Sequence, residues 1–186
     1  MRIRLSSKPV DKAETEAIVL LFFKDERPLK GQSGLTDWRM NGAVSRHIIE
    51  NRLSGDRNEL MLIDPAGRIR GKKILMVGMG DSQSFKEIYL SSAVKIATTQ
   101  LVSMGINKFI ISIPPERFTK LEPRFASSTV LKGIFGFNDI ENLDVTLTGK
   151  DISTNRVLFT LEKICAESAL PYRTEVMREN LTTAEE

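Results

Sequence analysis

The first place in this chain where chemistry could occur is a loop rather than a side chain. Between Asn58 and Asp81 the sequence NELMLIDPAGRIRGKKILMVGMGD holds two apolar runs, 60–63 and 74–77, separated by Pro65, Gly67 and Gly71. That is strand, turn and strand in succession. The second run leaves through Gly78-Met79-Gly80-Asp81, a turn tight enough to bring backbone N–H groups up to a phosphate or another anion, or to be no more than a turn. It is half of a dinucleotide fingerprint, because position 83 is Gln where a third glycine belongs. Nor is it a Walker loop, since no Gly-Lys-Ser/Thr follows.

Side-chain catalysis finds less material. The single histidine, His47, has no second His or Glu at helical spacing, and no paired acidic motif appears elsewhere, so we expect no metal site. Ser45 lies too close to His47 along a helix for one to be aimed at the other. Gly31-Gln32-Ser33-Gly34 lacks the spacing of a nucleophile elbow. The only cysteine, Cys165, rules out an internal disulfide and falls at helical spacing with Leu158, Leu161 and Ile164, which predicts a buried thiol acting as a small hydrophobe. We therefore expect no catalytic residue and no cofactor.

Six segments that could position such a loop read as strands: 2–6, 16–23, 59–63, 73–78, 108–113 and 143–148. The fourth and fifth are nearly continuous apolar, the mark of strands buried on both faces. The first and last alternate instead. Four helices are available to cover the sheet. One spans 36–53 and is broken near Asn41-Gly42; another runs from a capping box at Ser84-x-x-Glu87 to Gly105. A third starts at Glu122-Pro123 and stops within Gly133-Ile134-Phe135-Gly136; the fourth covers 153–169. The order suits an α/β fold, a three-layer α/β/α sandwich around a mixed, about six-stranded sheet. One domain is expected over 1–171, followed by a polar tail over 172–186.

Composition narrows the function classes. Of 186 residues, 41% are hydrophobic and 27% charged, ordinary globular usage for a chain that buries roughly 70% of its unfolded surface. The net charge of +3 comes from 27 basic and 24 acidic side chains spread along the chain. Without a basic cluster or interleaved aromatics, nucleic acid is an unfavoured partner. No apolar run has membrane-spanning length and no signal-peptide core follows Met1, so we expect a cytoplasmic protein.

Four segments together carry a resemblance. Glu16-Ala17-Ile18-Val19, Asn41-Gly42-Ala43-Val44-Ser45-Arg46, Asp64-Pro65-Ala66-Gly67 and Lys73-Ile74-Leu75-Met76-Val77-Gly78-Met79-Gly80 resemble, in order and spacing, the amino-terminal domain of the leucyl aminopeptidase (cytosol aminopeptidase) family. That domain is a relative of the macro domain, and the likeness runs over about residues 14–170. The resemblance implies a macro-like fold without the peptidase, because the family's metal ligands belong to a carboxyl-terminal domain marked by Asn-Thr-Asp-Ala-Glu-Gly-Arg, which this sequence lacks. It implies first a non-catalytic module acting in protein contacts, as a homo-oligomer or beside a separate subunit, with Trp38, Phe118 and Phe137 as a possible docking patch. The alternative it implies is a domain that binds ADP-ribose or a nucleotide phosphate. For that alternative Glu16 stands where macro domains place an adenine-contacting acid, and Gly42, Ala43 and Val44 where they meet pyrophosphate and ribose. Gly78, Gly80 and Asp81 would complete the site. Two departures oppose it: Leu20-Leu21-Phe22-Phe23 replaces an Asn-rich segment, and Pro114-Pro115-Glu116-Arg117 replaces a glycine-rich phosphate loop whose N–H donors proline cannot supply.

Overall fold

Ala17–Phe22 (β2) is buried at every one of its six positions. A strand of that kind needs an apolar layer on each side and a neighbour on each edge. The neighbours are Ile74–Gly78 (β4) and Lys108–Ser112 (β5), both parallel to it. Outward from these lie Leu60–Ile63 (β3), antiparallel on the β4 edge, and Arg2–Ser6 (β1), Asp144–Thr148 (β6) and Glu175–Arg178 (β7) on the other side. The result is a mixed seven-stranded sheet in the order β3-β4-β2-β5-β6-β1-β7. The computed structural model describes residues 1–137, 141–168 and 174–178.

Alternate side chains of each strand feed two cores. Ala17, Val19, Leu21 and Phe23 pack under Glu87–Ser103 (α3), Pro123–Phe135 (α5) and Asn155–Glu167 (α6). Ile18, Leu20 and Phe22 pack instead under Gly31–Arg39 (α1), Ala43–Ile49 (α2) and the 3-10 turn Val10–Lys12. This three-layer α/β/α arrangement is the fold expected. The second layer is incomplete: its core takes residues from β2, β3, β4 and β5 but none from β1, β6 or β7. On that side β1 shows Arg4 and Ser6, and β6 shows Thr146 and Thr148. The alternating sequences of these two strands therefore record a sheet covered by helices on one face only; on the other, the Lys8 backbone lies over Ser6 and Thr148.

Several boundaries differ from the sequence reading. β7 lies inside the expected 172–186 tail and pairs with β1 from Arg2 opposite Glu175 to Leu5 opposite Arg178, so the folded unit extends past 171. Its four residues, Glu-Val-Met-Arg, are exposed or half-exposed with only Val176 packed on the core, too short and too mixed a run to read as a strand; the rest of the expected tail, 179–186, lies outside the described residues. The 36–53 helix is two helices. Asn41 (φ 54°) and Gly42 (φ 71°) both turn left-handed, and the carboxylate of Asp37 at the end of α1 accepts the Ser45 N–H (3.0 Å) and hydroxyl, capping α2. The capping box does not form: α3 starts at Glu87 after Lys86, and Ser84 belongs to a 3-10 turn capped by Asp81. Glu87 accepts the Thr129 hydroxyl at 2.6 Å, tying α3 to α5.

Only Gly136 of the Gly133–Gly136 segment ends α5; Gly133 is inside the helix. A Cβ on Gly133 would sit 2.6 Å from the Ser91 carbonyl and 2.9 Å from Val94 Cβ, so the α3–α5 contact closes only around glycine. The expected docking patch is not contiguous either. Trp38 is 67% exposed, but Phe118 and Phe137 are partly buried against the first core.

The connection leaving β2 is held by a buried acid. Glu26, 2% exposed, accepts the N–H of Lys30 (2.8 Å) and of Phe23 (3.2 Å), closing the loop that aims the chain into α1. Burial pushes its carboxyl above the ordinary value, and those N–H groups with Arg117 and Arg27 oppose the shift. Two outcomes follow from this packing. Gly133→Ala should cost about 1–3 kcal/mol, the range for overpacking a closed contact, seen as a lower urea midpoint at unchanged slope. Because the folded Glu26 keeps its proton to higher pH than its unfolded form does near 4.5, stability attributable to it falls as pH rises through that window. Wild type should lose stability relative to Glu26→Gln between pH 4 and 7 in urea melts; parallel profiles would refute the perturbation.

Candidate ligand-binding cleft

The residues singled out by sequence do not meet. Glu16 precedes β2 at the amino ends of the strands, where its carboxylate accepts the Lys108 N–H at 3.1 Å and its own N–H bonds the Lys108 carbonyl at 3.2 Å. It fastens β2 to β5 at the sheet's lower rim. Gly42 bonds the Asp37 carbonyl through its N–H (2.8 Å), a Cβ there would meet nothing within 4 Å, and Val44 is buried beneath α2. Gly78, Gly80 and Asp81 lie at the carboxyl end of β4. There the N–H groups of Gly78, Met79 and Gly80 bond the carbonyls of Glu59, Phe22 and Gly55, each at 2.9 Å. These amides are engaged inside the protein. A Cβ on Gly78 would fall 2.1 Å from the Asp56 carbonyl oxygen, so this glycine is required by the crossing backbone.

A cleft forms elsewhere on the same rim. After β2 the chain turns to α1 in one layer, whereas after β5 it turns through Glu116–Thr119 (α4) to α5 in the other. Adjacent parallel strands whose connections part in this way leave a crevice at their carboxyl ends, the place where open α/β sheets bind ligands. The crevice here has a volume of about 530 Å³. One wall is Gly31, Gln32 and Leu35 at the start of α1; the facing wall is Ile113 to Arg117 after β5. Gly149 to Ile152 after β6 close the third side.

Its surface is apolar with a few charges. Leu35, Ile113, Pro114, Leu121 and Ile152 form the apolar part, and Arg117, Lys150, Glu116 and Asp151 the charged part. Close approaches set its width: a Cβ on Gly31 (φ +54°) would lie 3.4 Å from Pro115, and one on Gly149 would lie 3.2 Å from Ile113 Cβ. Gln32 is turned back to accept the Val10 N–H at 3.2 Å, which pins the segment following β1 to the same wall. Arg117 stacks over Phe118 at 4.8 Å, and Phe118 itself packs on Phe23 at the end of β2. The guanidinium is thus mounted on an aromatic platform beside buried Glu26.

The sequence marks this site only indirectly. Pro114-Pro115-Glu116-Arg117 stands out there as a departure from a phosphate loop, and the fold shows that same segment to be a cleft wall. Gly31, Lys150 and Asp151 carry no local signal. Among the described residues no group of three or more His, Cys, Asp or Glu could hold a metal ion. His47 is half-buried on α2, and Ser45 bonds Asp37 rather than His47. The Cys165 thiol is pushed up to about 11 by burial, with Glu162 adding to the shift, so it is not poised as a nucleophile.

Comparison with known proteins follows this geometry. The tomato leucine aminopeptidase structure superposes with a TM-score of 0.66 at 15% identity, over 89% of this chain and 36% of that one. A macrodomain of Oceanobacillus iheyensis with ADPR superposes with a TM-score of 0.71 at 13% identity, over 88% of this chain and 93% of that one. At such identities the likeness is one of fold. By sequence, a probable cytosol aminopeptidase of Sulfurihydrogenibium is 24% identical over 118 residues, 63% of this chain and 23% of the relative. The matches cover between 17% and 29% of the curated relatives' length, so the chain spans under a third of them. The model for the N-terminal domain of the cytosol aminopeptidase family matches residues 18–141, and the chain belongs to that family through this domain.

Proposed function

We propose that this protein is a ligand-binding macro-like module that takes a nucleotide diphosphate of the ADP-ribose type in the cleft between α1 and the segments after β5 and β6. The observation that carries the reading is the crevice of about 530 Å³ where the β2 and β5 connections part, with Arg117 and Lys150, beside Glu116 and Asp151, on an otherwise largely apolar lining. Solved macrodomains of this fold hold ADP and ADPR, which makes this ligand class the first to test. Leu35, Leu121 and Ile152 suit a ring or sugar face, and the two cations suit the phosphates. Pro114 and Pro115 have no N–H to offer, so the diphosphate rests on side-chain charge rather than on a backbone cradle. The expected adenine contact passes away from Glu16, which is engaged with Lys108 at the opposite rim. The same reading makes the module cytoplasmic, in keeping with relatives named cytosol aminopeptidases.

Isothermal titration with ADP-ribose tests the proposal. One site per chain is expected, with a stabilisation of about 2.7 kcal/mol at a ligand concentration 100 times Kd. Arg117→Ala should weaken binding about tenfold, the loss of roughly one charge-assisted contact, without lowering the melting temperature. Absence of heat and of thermal stabilisation at millimolar ADP-ribose, with the fold intact by circular dichroism, would reject the cleft as a nucleotide site.

A further inference from the structure

The half of the sheet that α1 and α2 leave uncovered is a groove of about 420 Å³. Its floor is made by residues in register on β5, β6 and β1, with Ile110 beside Thr146, Thr146 beside Arg4, and Thr148 beside Ser6. The descending segment from Lys8 to Thr15 forms one wall, and Met177 and Arg178 of β7 the other. Among the described residues five basic side chains line it, Arg4, Lys8, Lys12, Lys108 and Arg178, against the single acid Glu14, with Lys8 and Arg178 already engaged, the latter donating to Asn155. Arg4 is paired with Asp144, and Glu14 faces Arg70 at 3.4 Å outside the groove. Among the described residues the ammonium groups of Lys12 and Lys108 have no acidic partner within salt-bridge distance, and the buried Nε–H of Arg178 has no acceptor. Among the described residues no aromatic ring lines the groove.

We propose that this groove is a second binding site, separate from the cleft, for a small multiply charged anion built on a di- or triphosphate chain. Cations converging over a polar floor recognise phosphate oxygens; Ser6 and Thr148 at its end hold the Lys8 backbone in place, at 3.2 and 2.9 Å, and Thr146 lies between them and Arg4. The lack of a ring for base stacking means that recognition goes to the phosphate chain and not to a nucleobase. The volume accommodates such a chain but leaves little wall for a large apolar group. Strands buried on both faces need no such polar floor; here the hydroxyls and cations stand in place of the missing helix layer.

The probe is tripolyphosphate, titrated calorimetrically at 50 and 300 mM salt, with ADP as the arm that separates a free phosphate chain from one carried on a nucleoside. One saturable site, weakened by salt, is expected, and ADP should bind it no more tightly than pyrophosphate does. The exposed pair Lys12→Ala/Lys108→Ala should keep the wild-type melting temperature and raise the tripolyphosphate Kd at least tenfold. Arg117→Ala, which alters only the cleft, should leave that Kd unchanged. Non-saturating heat, an unchanged Kd in the double variant, or a loss caused by Arg117→Ala would each overturn the proposal. Because ADP belongs to the ligand class proposed for the cleft, both phosphate probes are titrated into the Arg117→Ala variant as well, where only the groove's site should remain.

Discussion

The complete burial of β2 governs the rest of the molecule. Six consecutive apolar residues in a strand can be kept from water only if helices lie above and below it, and its unpaired edges only if strands flank it on both sides. The chain meets the first demand by sending the β2 connection to one layer and those of β4, β5 and β6 to the other. The second is met by β4 and β5, parallel partners that are themselves apolar on both faces. Everything farther out, the antiparallel β3 edge and the three polar-faced strands beyond β5, adds to this centre.

The crevice follows from the same requirement. Helices that must cover opposite faces cannot leave neighbouring strands in the same direction, so a gap opens at the carboxyl ends of β2 and β5. Glu26 and Gln32 hold its α1 side through backbone N–H groups, and Gly31 and Gly149 allow the facing segments to approach. The cost of mounting an acid inside that connection appears in the raised Glu26 carboxyl. The rim loop of β4 has no such freedom. Its amides close the β3 hairpin and the β2 edge, which is why a glycine-rich sequence there makes a splice and not a receptor.

Much of the architecture was legible in residue patterns. The apolar runs at 73–78 and 108–113 placed two strands and required two helical layers; the alternation at 2–6 and 143–148 announced strands with one wet face, although the position of that face became clear only once the layers were counted. The Asn41-Gly42 break was visible because few other residues tolerate left-handed backbone. Less was legible at the ends of elements. Ser84-x-x-Glu87 has the spacing of a capping box, but Asp81 takes the turn and Glu87 turns across to Thr129, a contact no local window contains. β7 was missed because its four residues are held by pairing with β1, nearly the whole chain away in sequence.

The sequence by itself determined six of the seven strands, the α/β class and the poverty of catalytic side chains, since these depend on local periodicity and on residue counts. Only the tertiary structure decided where a ligand could sit. Glu16, Gly42 and Gly78 each had suitable chemistry, yet they lie at the lower rim, on an open helix break and in a closed splice. Arg117, Lys150 and Gly31, distant in sequence and none of them a predicted site residue, converge because the connections of parallel strands all emerge at one edge of the sheet. A site of this kind is a property of strand order and of the side to which each connection turns, and neither is written in any single segment.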